Sequence, residues 1–317
     1  MSVFYFNTGK TLLDDFAIQR RNSADMMIAD RVAPPVPVDI NSKAYPIWDD
    51  GNSLVLPVGQ GIRGNGSTAE EVAVKFSTGV YNTTEKAIQD KLDIRELENA
   101  QPELQVSKQY IQTITDKQML LREYLTAQKM FSASNFSSYT SALNSYTQWD
   151  LSATNGNDPR IQVNIAKQSI RKNGVVDPDQ ISLVCGSDVY QSLLYNTLLL
   201  KSVNYTIPFF TNKEQLAQVL GVKEILVGTG VYQNATTGTK NSIWSGSALF
   251  MYLNQAATLM DVSCAKTFIL REHDLRIENW YENNMSSWIY RAKWDYDIEL
   301  TAVSSGYLFT SAVSTAY

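Results

Sequence analysis

Residues 44–80 constrain this chain more than any other stretch. Residues 44–58 (AYPIWDDGNSLVLPV) are patterned as an extended strand, residues 59–68 (GQGIRGNGST) hold four glycines, and residues 70–80 (EEVAVKFSTGV) alternate apolar with polar side chains. Strand, flexible tip and half-exposed returning strand make a long two-stranded excursion. A two-stranded ribbon is marginal on its own in water, so something outside it has to hold it. The chain just before it is extended too. Ala33-Pro34-Pro35-Val36-Pro37-Val38 excludes a helix, because proline fixes its own φ and pushes the preceding residue out of the α region. Together with residues 1–33, this region is expected to be an extended arm rather than the packed start of a domain.

Helical and strand patterns alternate after the ribbon. Thr83-Thr84-Glu85 suits a helix start running to about residue 99, and Pro102 starts another near Glu103. From there to Phe131, apolar residues recur at Tyr110, Ile111, Ile114, Leu121, Tyr124 and Leu125, which is helical spacing with both charge signs on the polar face. Residues 132–157 suit loops and short strands. Asp158-Pro159 opens a helix that Asn173-Gly174 ends, Ile181–Cys185 is a short apolar strand, and Ser187 or Asp188 caps a helix to about Leu200. A helix over 211–221, strands at 225–228 and 247–253, and two long strands over 267–281 and 286–303 complete an α+β pattern.

Residue counts exclude most chemistry. One His and two Cys in 317 residues leave almost no room for a His-based triad or metal site. Cys185 and Cys264 lie in apolar settings and are expected to be buried, reduced core residues. Gly59-Gln60-Gly61-Ile62-Arg63-Gly64 matches a dinucleotide-binding pattern, but a strand-like segment follows where a helix is required. Asp49-Asp50, Glu70-Glu71 and Asp177/Asp179 suit solvated turns. No cofactor and no metal is expected. Net charge is −5, from 27 Lys+Arg against 32 Asp+Glu, so no strong attraction to DNA or anionic membrane follows. The N-terminus carries no secretory pattern and no stretch is long enough to span a bilayer, so a soluble chain folded in a reducing cytoplasm is expected.

Several stretches resemble one group of tailed-phage and prophage major capsid proteins. They are Ile28-Ala29-Asp30-Arg31-Val32 with Pro34-Pro35-Val36-Pro37-Val38; Glu71-Val72 through Tyr81; Trp149-Asp150 with Asn157-Asp158-Pro159; and Leu183-Val184-Cys185-Gly186 with Val189-Tyr190 and Leu193. Glu214-Gln215-Leu216-Ala217 through Leu226-Val227-Gly228, then Ile243-Trp244 through Ala248-Leu249, complete the series in the same order. The resemblance implies the Hong Kong 97-type fold. Residues 1–47 would be the N-arm, 48–80 the E-loop, 81–179 the peripheral (P) domain with its spine helix, 180–262 the axial (A) domain, and 263–317 the return to the P-domain sheet. It also implies that the E-loop tip (Gly59, Gly61, Arg63, Gly64) and the arm (Arg31, Pro34, Pro35, Pro37) touch neighbouring subunits. Some relatives join subunits through an E-loop Lys and a partner Asn. Arg63 stands at the tip here and cannot supply that amine, so boiled, reduced particles are expected to show no covalent ladder.

The function implied is structural: self-assembly into hexamers and pentamers of an icosahedral shell around phage double-stranded DNA. Portal, scaffolding and decoration proteins would be further partners, DNA a weak non-specific neighbour, and the virion capsid the location after synthesis in a host bacterial cytoplasm. An encapsulin-like cellular compartment of the same fold is the alternative. A cytoplasmic hydrolase using carboxylates is a third, which the missing histidines disfavour.

Overall fold

The computed structural model describes residues 27–48, 65–68, 77–95, 103–144, 146–150, 158–174, 176–203, 212–234, 236–255 and 258–314. The first half holds α1 (Ala29–Val32), β1 (Pro35–Val38), β2 (Ser42–Ile47), β3 (Ser77–Asn82), β4 (Thr84–Asp93), α2 (Glu103–Met130), β5 (Thr140–Ala142) and α3 (Pro159–Gly174). Next come β6 (Ile181–Gly186), α4 (Ser187–Leu194), α5 (Thr197–Val203), α6 (Lys213–Leu220), β7 (Glu224–Gly228), β8 (Val231–Gln233), β9 (Lys240–Ser242) and β10 (Ala248–Tyr252). The chain ends with β11 (Ala265–Leu270), β12 (Arg276–Glu282), β13 (Ser287–Leu300) and β14 (Gly306–Thr310).

Strand β13 organises the first sheet. One edge pairs antiparallel with β4 from Ser287↔Asp93 to Tyr296↔Thr84. The other edge takes β12 and then β11, and β1 adds parallel to β11, Pro35 opposite Thr267. The 28-residue α2 lies across this sheet, a rod of about 42 Å at 1.5 Å per residue. Its Ile111, Ile114, Ala127 and Met130 share a core with Tyr290, Ala292, Trp294, Tyr296 and Ile298 of β13.

The second sheet runs β5-β14-β10-β6-β7. Period-two alternation sends its side chains to two destinations. Leu183, Cys185, Val227, Phe250 and Phe309 face a core with Val163, Ala166 and Ile170 of α3 and Leu216 and Leu220 of α6. Val184, Leu226, Leu249, Met251 and Leu308 join the core of the first sheet instead. β6 is buried along its whole length, hence its unbroken apolar sequence.

Four sequence expectations change. Residues 84–93 form a strand and not a helix, because ten ladder positions on β13 outweigh a modest local helix preference. The helix expected from 187 to 200 breaks at Tyr195 and Asn196. There the Asn196 side chain accepts the amides of Leu198 (3.0 Å) and Leu199 (3.2 Å) and donates to the Trp149 carbonyl (3.0 Å). The strand expected over 267–281 is interrupted by a 3-10 turn at Arg271–His273. Of residues 263–317, Ala265–Leu300 lies in the first sheet, whereas Gly306–Thr310 pairs with β10 and β5 in the second. The stop at Gly221 is of the expected kind: it ends α6 in the left-handed region, φ 66°.

Candidate assembly surfaces

The chain enters the described structure at α1 and is clamped there. Glu123, in the C-terminal third of α2, is 0% exposed. Its carboxylate accepts the Ile28 amide (3.0 Å), the Ala29 amide (2.8 Å) and the Trp244 indole N–H (2.6 Å). Burial pushes its pKa up, and those three donors pull against the rise. The neighbouring Arg122, also buried, pairs with Asp30 of α1 and lays its guanidinium 4.7 Å from the centre of the Trp294 ring. One turn of α2 thus ties the root of the arm to both sheets.

Trp244 reaches Glu123 through a notch in the second sheet. Gly186 and Gly228 are directly paired across β6 and β7. A Cβ at Gly228 would stand 2.0 Å from the Trp244 ring, and one at Gly186 1.5 Å from the Trp244 carbonyl oxygen. Only glycine leaves the indole this room. Phe131 meets the same ring edge-on at 5.1 Å.

The base of the ribbon is the antiparallel pair β2 and β3. Tyr45 covers its cross-strand partner Gly79, while Tyr81 stacks on Phe268 of β11 at 4.5 Å. The Asn82 amide donates to Asp297 (2.8 Å), the Thr83 amide to the Asn41 carbonyl (2.8 Å) and the Trp48 amide to the Thr301 carbonyl (2.8 Å). Beneath this cluster Lys266 is fully buried and donates to the carbonyls of Leu259 (3.2 Å) and Asp261 (2.5 Å). Burial pulls its ammonium down to about 8. The base is therefore fixed on the first sheet by both backbone and side-chain bonds.

Apolar side chains remain outside these cores. Ile161 and Ile165 lie one turn apart on the outer face of α3, Tyr195 is 77% exposed, and Val80 on the ribbon base is 64% exposed. Adjacent exposed isoleucines on one helix face are what an association surface supplies.

Of the residues expected to touch neighbours, Gly59, Gly61, Arg63 and Gly64 lie outside the described residues. Arg31 pairs with Glu224 of the same chain. The Pro34 carbonyl accepts the Thr267 amide at 3.0 Å. Pro35 and Pro37 occupy the exposed positions of β1 while Val36 and Val38 point inward. Residues 28–38 are extended from Pro35 onward and pack on their own subunit. The reason is the apolar set Ile28, Val32, Ala33 and Val36, together with the buried carboxylate that receives the amides of α1.

Residues singled out for chemistry have structural neighbours. Cys185 and Cys264 are buried and unbonded, and burial raises both thiols, Cys264 to about 12. His273 pairs with Asp295 at 2.5 Å. Asp177 caps a short turn by accepting the Asp179 amide, and Asp179 meets Lys167 at 3.4 Å. Asp49-Asp50, Glu70-Glu71 and the glycine motif at 59–64 lie outside the described residues. Among the described residues no cluster of His, Cys, Asp or Glu could hold a metal, and no helix is long and apolar enough to cross a membrane. Glu123, Arg122, Trp244 and Lys266 escaped the sequence reading. The trace of Arg122 and Glu123 there is a charged pair set among apolar residues in Leu120-Leu121-Arg122-Glu123-Tyr124-Leu125, and Trp244 figured only in the resemblance.

No protein-family model and no curated protein matches the chain. Solved structures do. The crystal structure of a phage-related protein from Bordetella bronchiseptica RB50 superposes with a TM-score of 0.75 at 19% identity, covering 94% of this chain and 96% of that one. The capsid structure of the cyanophage P-SCSP1u gives 0.60 at 12% identity, covering 91% and 89%. A virus-like particle from Pyrococcus furiosus gives 0.54 at 12%, covering 97% and 100%. With its ribbon base, its long helix across one sheet and its second sheet flanked by helices, the chain has the α+β fold of the Hong Kong 97-type capsid proteins.

Proposed function

We propose that this chain is the major capsid protein of a tailed bacteriophage, and that copies of it close into an icosahedral shell of hexamers and pentamers around double-stranded DNA. The observation that carries this is superposition on a capsid chain along most of both lengths, 91% of this chain and 89% of the cyanophage protein. The interior of the subunit supports it. Three of its buried charged groups, Glu123, Arg122 and Lys266, hold segments together. The E-loop would be residues 48–80, carried on the fixed base of β2 and β3. A net charge of −5 suits a wall that contacts DNA only weakly.

An encapsulin-like compartment is the second reading, supported by the Pyrococcus furiosus particle at a TM-score of 0.54 against 0.60 for the cyanophage capsid. Nuclease treatment of particles purified from a producing culture separates the two. Protected double-stranded DNA of uniform length is the expected result. Particles free of DNA and loaded with a cellular enzyme would move the assignment to the compartment, and the absence of particles would remove both.

A further inference from the structure

An open, largely apolar groove lies beside the root of the arm. It has a volume of about 570 Å³ and is bounded by Ile88 of β4, Leu120, Leu121 and Tyr124 of α2, and Tyr232 of β8, with the exposed Lys117 at its rim. Tyr124 and Tyr232 face each other at 4.9 Å and form an aromatic wall. Ile88, Leu120, Tyr124 and Tyr232 pack against the core with one side and stay partly exposed on the other. The chain's own start is close by. Glu123 holds the Ile28 and Ala29 amides, and the next residue of α2, Tyr124, lines the groove.

One stretch ahead of that root is patterned for a helix. Thr11 followed three residues on by Asp14 is a helix-start pattern, and Leu12, Leu13, Phe16 and Ala17 recur at helical spacing. Asp14-Asp15 fall in its first turn and Arg20-Arg21 in its last, each of the sign the helix dipole favours there. We propose that residues 11–21 form an amphipathic helix that docks in the groove of its own subunit, with Phe16 against the tyrosine wall and Asp14 or Asp15 beside Lys117. An apolar helix face in an apolar groove is a recurrent mode of segment recognition. Size and reach agree. Residues 12–21 make about 15 Å of helix, and the stretch of α2 from Lys117 to Tyr124 is about 10 Å long, both at 1.5 Å per residue. Residues 22–27 connect the helix to the anchored Ile28 and reach about 20 Å when extended. A tether that short keeps the helix at an effective concentration on the order of millimolar, which a separate partner has to exceed. This contact lies within one subunit and is independent of the shell role proposed above.

The full-length double variant Phe16→Cys/Gln233→Cys tests this, with Gln233 on the exposed side of the groove. The native Cys185 and Cys264 are buried and stay silent. Equal amounts of the variant at natural isotopic abundance and labelled with nitrogen-15 are mixed, treated with a short bismaleimide and digested, and the joined peptides are weighed. The expected product joins positions 16 and 233 with both peptides carrying the same label. Adding Leu12→Asp and Leu13→Asp keeps the tether but spoils the apolar face, and should cut the yield at least fivefold. A yield unchanged by those two substitutions would show an arm that passes the groove without docking, and would overturn the proposal. So would joined peptides of mixed label, which place the segment on a second copy, and so would the absence of a link. Should Gln233→Cys fail to fold, Lys117→Cys on the exposed face of α2 replaces it. None of these outcomes depends on whether shells form, so failure of this contact leaves the shell role standing.

Discussion

Glu123 is the residue on which the placement of the arm turns. Three N–H groups from two distant segments converge on one fully buried carboxylate. Leaving a buried donor unsatisfied costs about 1–3 kcal/mol. Glu123→Ala is therefore expected to lower unfolding stability by at least about 3 kcal/mol in urea titrations followed by tryptophan fluorescence. Glu123→Gln keeps one acceptor and should lose less. Lys266 gives a pH signature. Burial holds its folded pKa at about 8, below the ordinary lysine value of 10.5. Between those values the unfolded chain binds more protons than the folded one, so stability should rise with pH across that window. Relative to Lys266→Met, wild type should gain on the order of 3 kcal/mol between pH 7 and pH 10.5, an upper bound set by 1.36 kcal/mol per pKa unit. A difference that stays flat would show that burial does not depress this amine. Neither residue was legible in the sequence. The pattern of α2 placed charges on a solvated face, whereas Arg122 and Glu123 are covered by α1, Trp244 and β13.

At the scale of elements, long periodic segments were legible and short charged ones were not. The helix from Glu103 to Met130 follows its apolar spacing, and α3 opens at Pro159 as the first-turn proline suggests. Residues 84–93 misled because Thr84-Glu85-Lys86-Ala87 is good helix sequence, while the partner that makes them a strand lies some two hundred residues away. The paired glycines of β6 and β7 were equally opaque. Each looks like an ordinary strand end until Trp244 is seen lying against both. Gly228→Ala is expected to push the indole off Glu123 and to destabilise the chain by about 1–3 kcal/mol, the usual range for overpacking. The thermal midpoint would report it, and an unchanged midpoint would mean that Trp244 has another place to go.

At the scale of the whole molecule, the arm has two parts with different duties. Ile28, Val32 and Ala33 belong to the core, so removing residues 1–33 should damage the fold itself and not only assembly. Removing residues 1–26 keeps Ile28, Val32 and Ala33 in the chain. The shorter truncation is expected to keep native circular dichroism and to lose particles, whereas the longer one should lose both. Normal particles from the shorter truncation would show that assembly does not use the first 26 residues. Of the ribbon expected over 44–80, the described residues show the base, where 42–47 pairs with 77–82, and residues 49–64 and 69–76 lie outside them. How copies meet is written in contacts between chains, which no single sequence pattern records. Electron cryomicroscopy of the purified, full-length protein addresses the central claim most directly. Closed icosahedral shells built of hexamers and pentamers, with this fold in each subunit, are predicted. A population of discrete monomers or small oligomers under conditions where the protein is folded would contradict it.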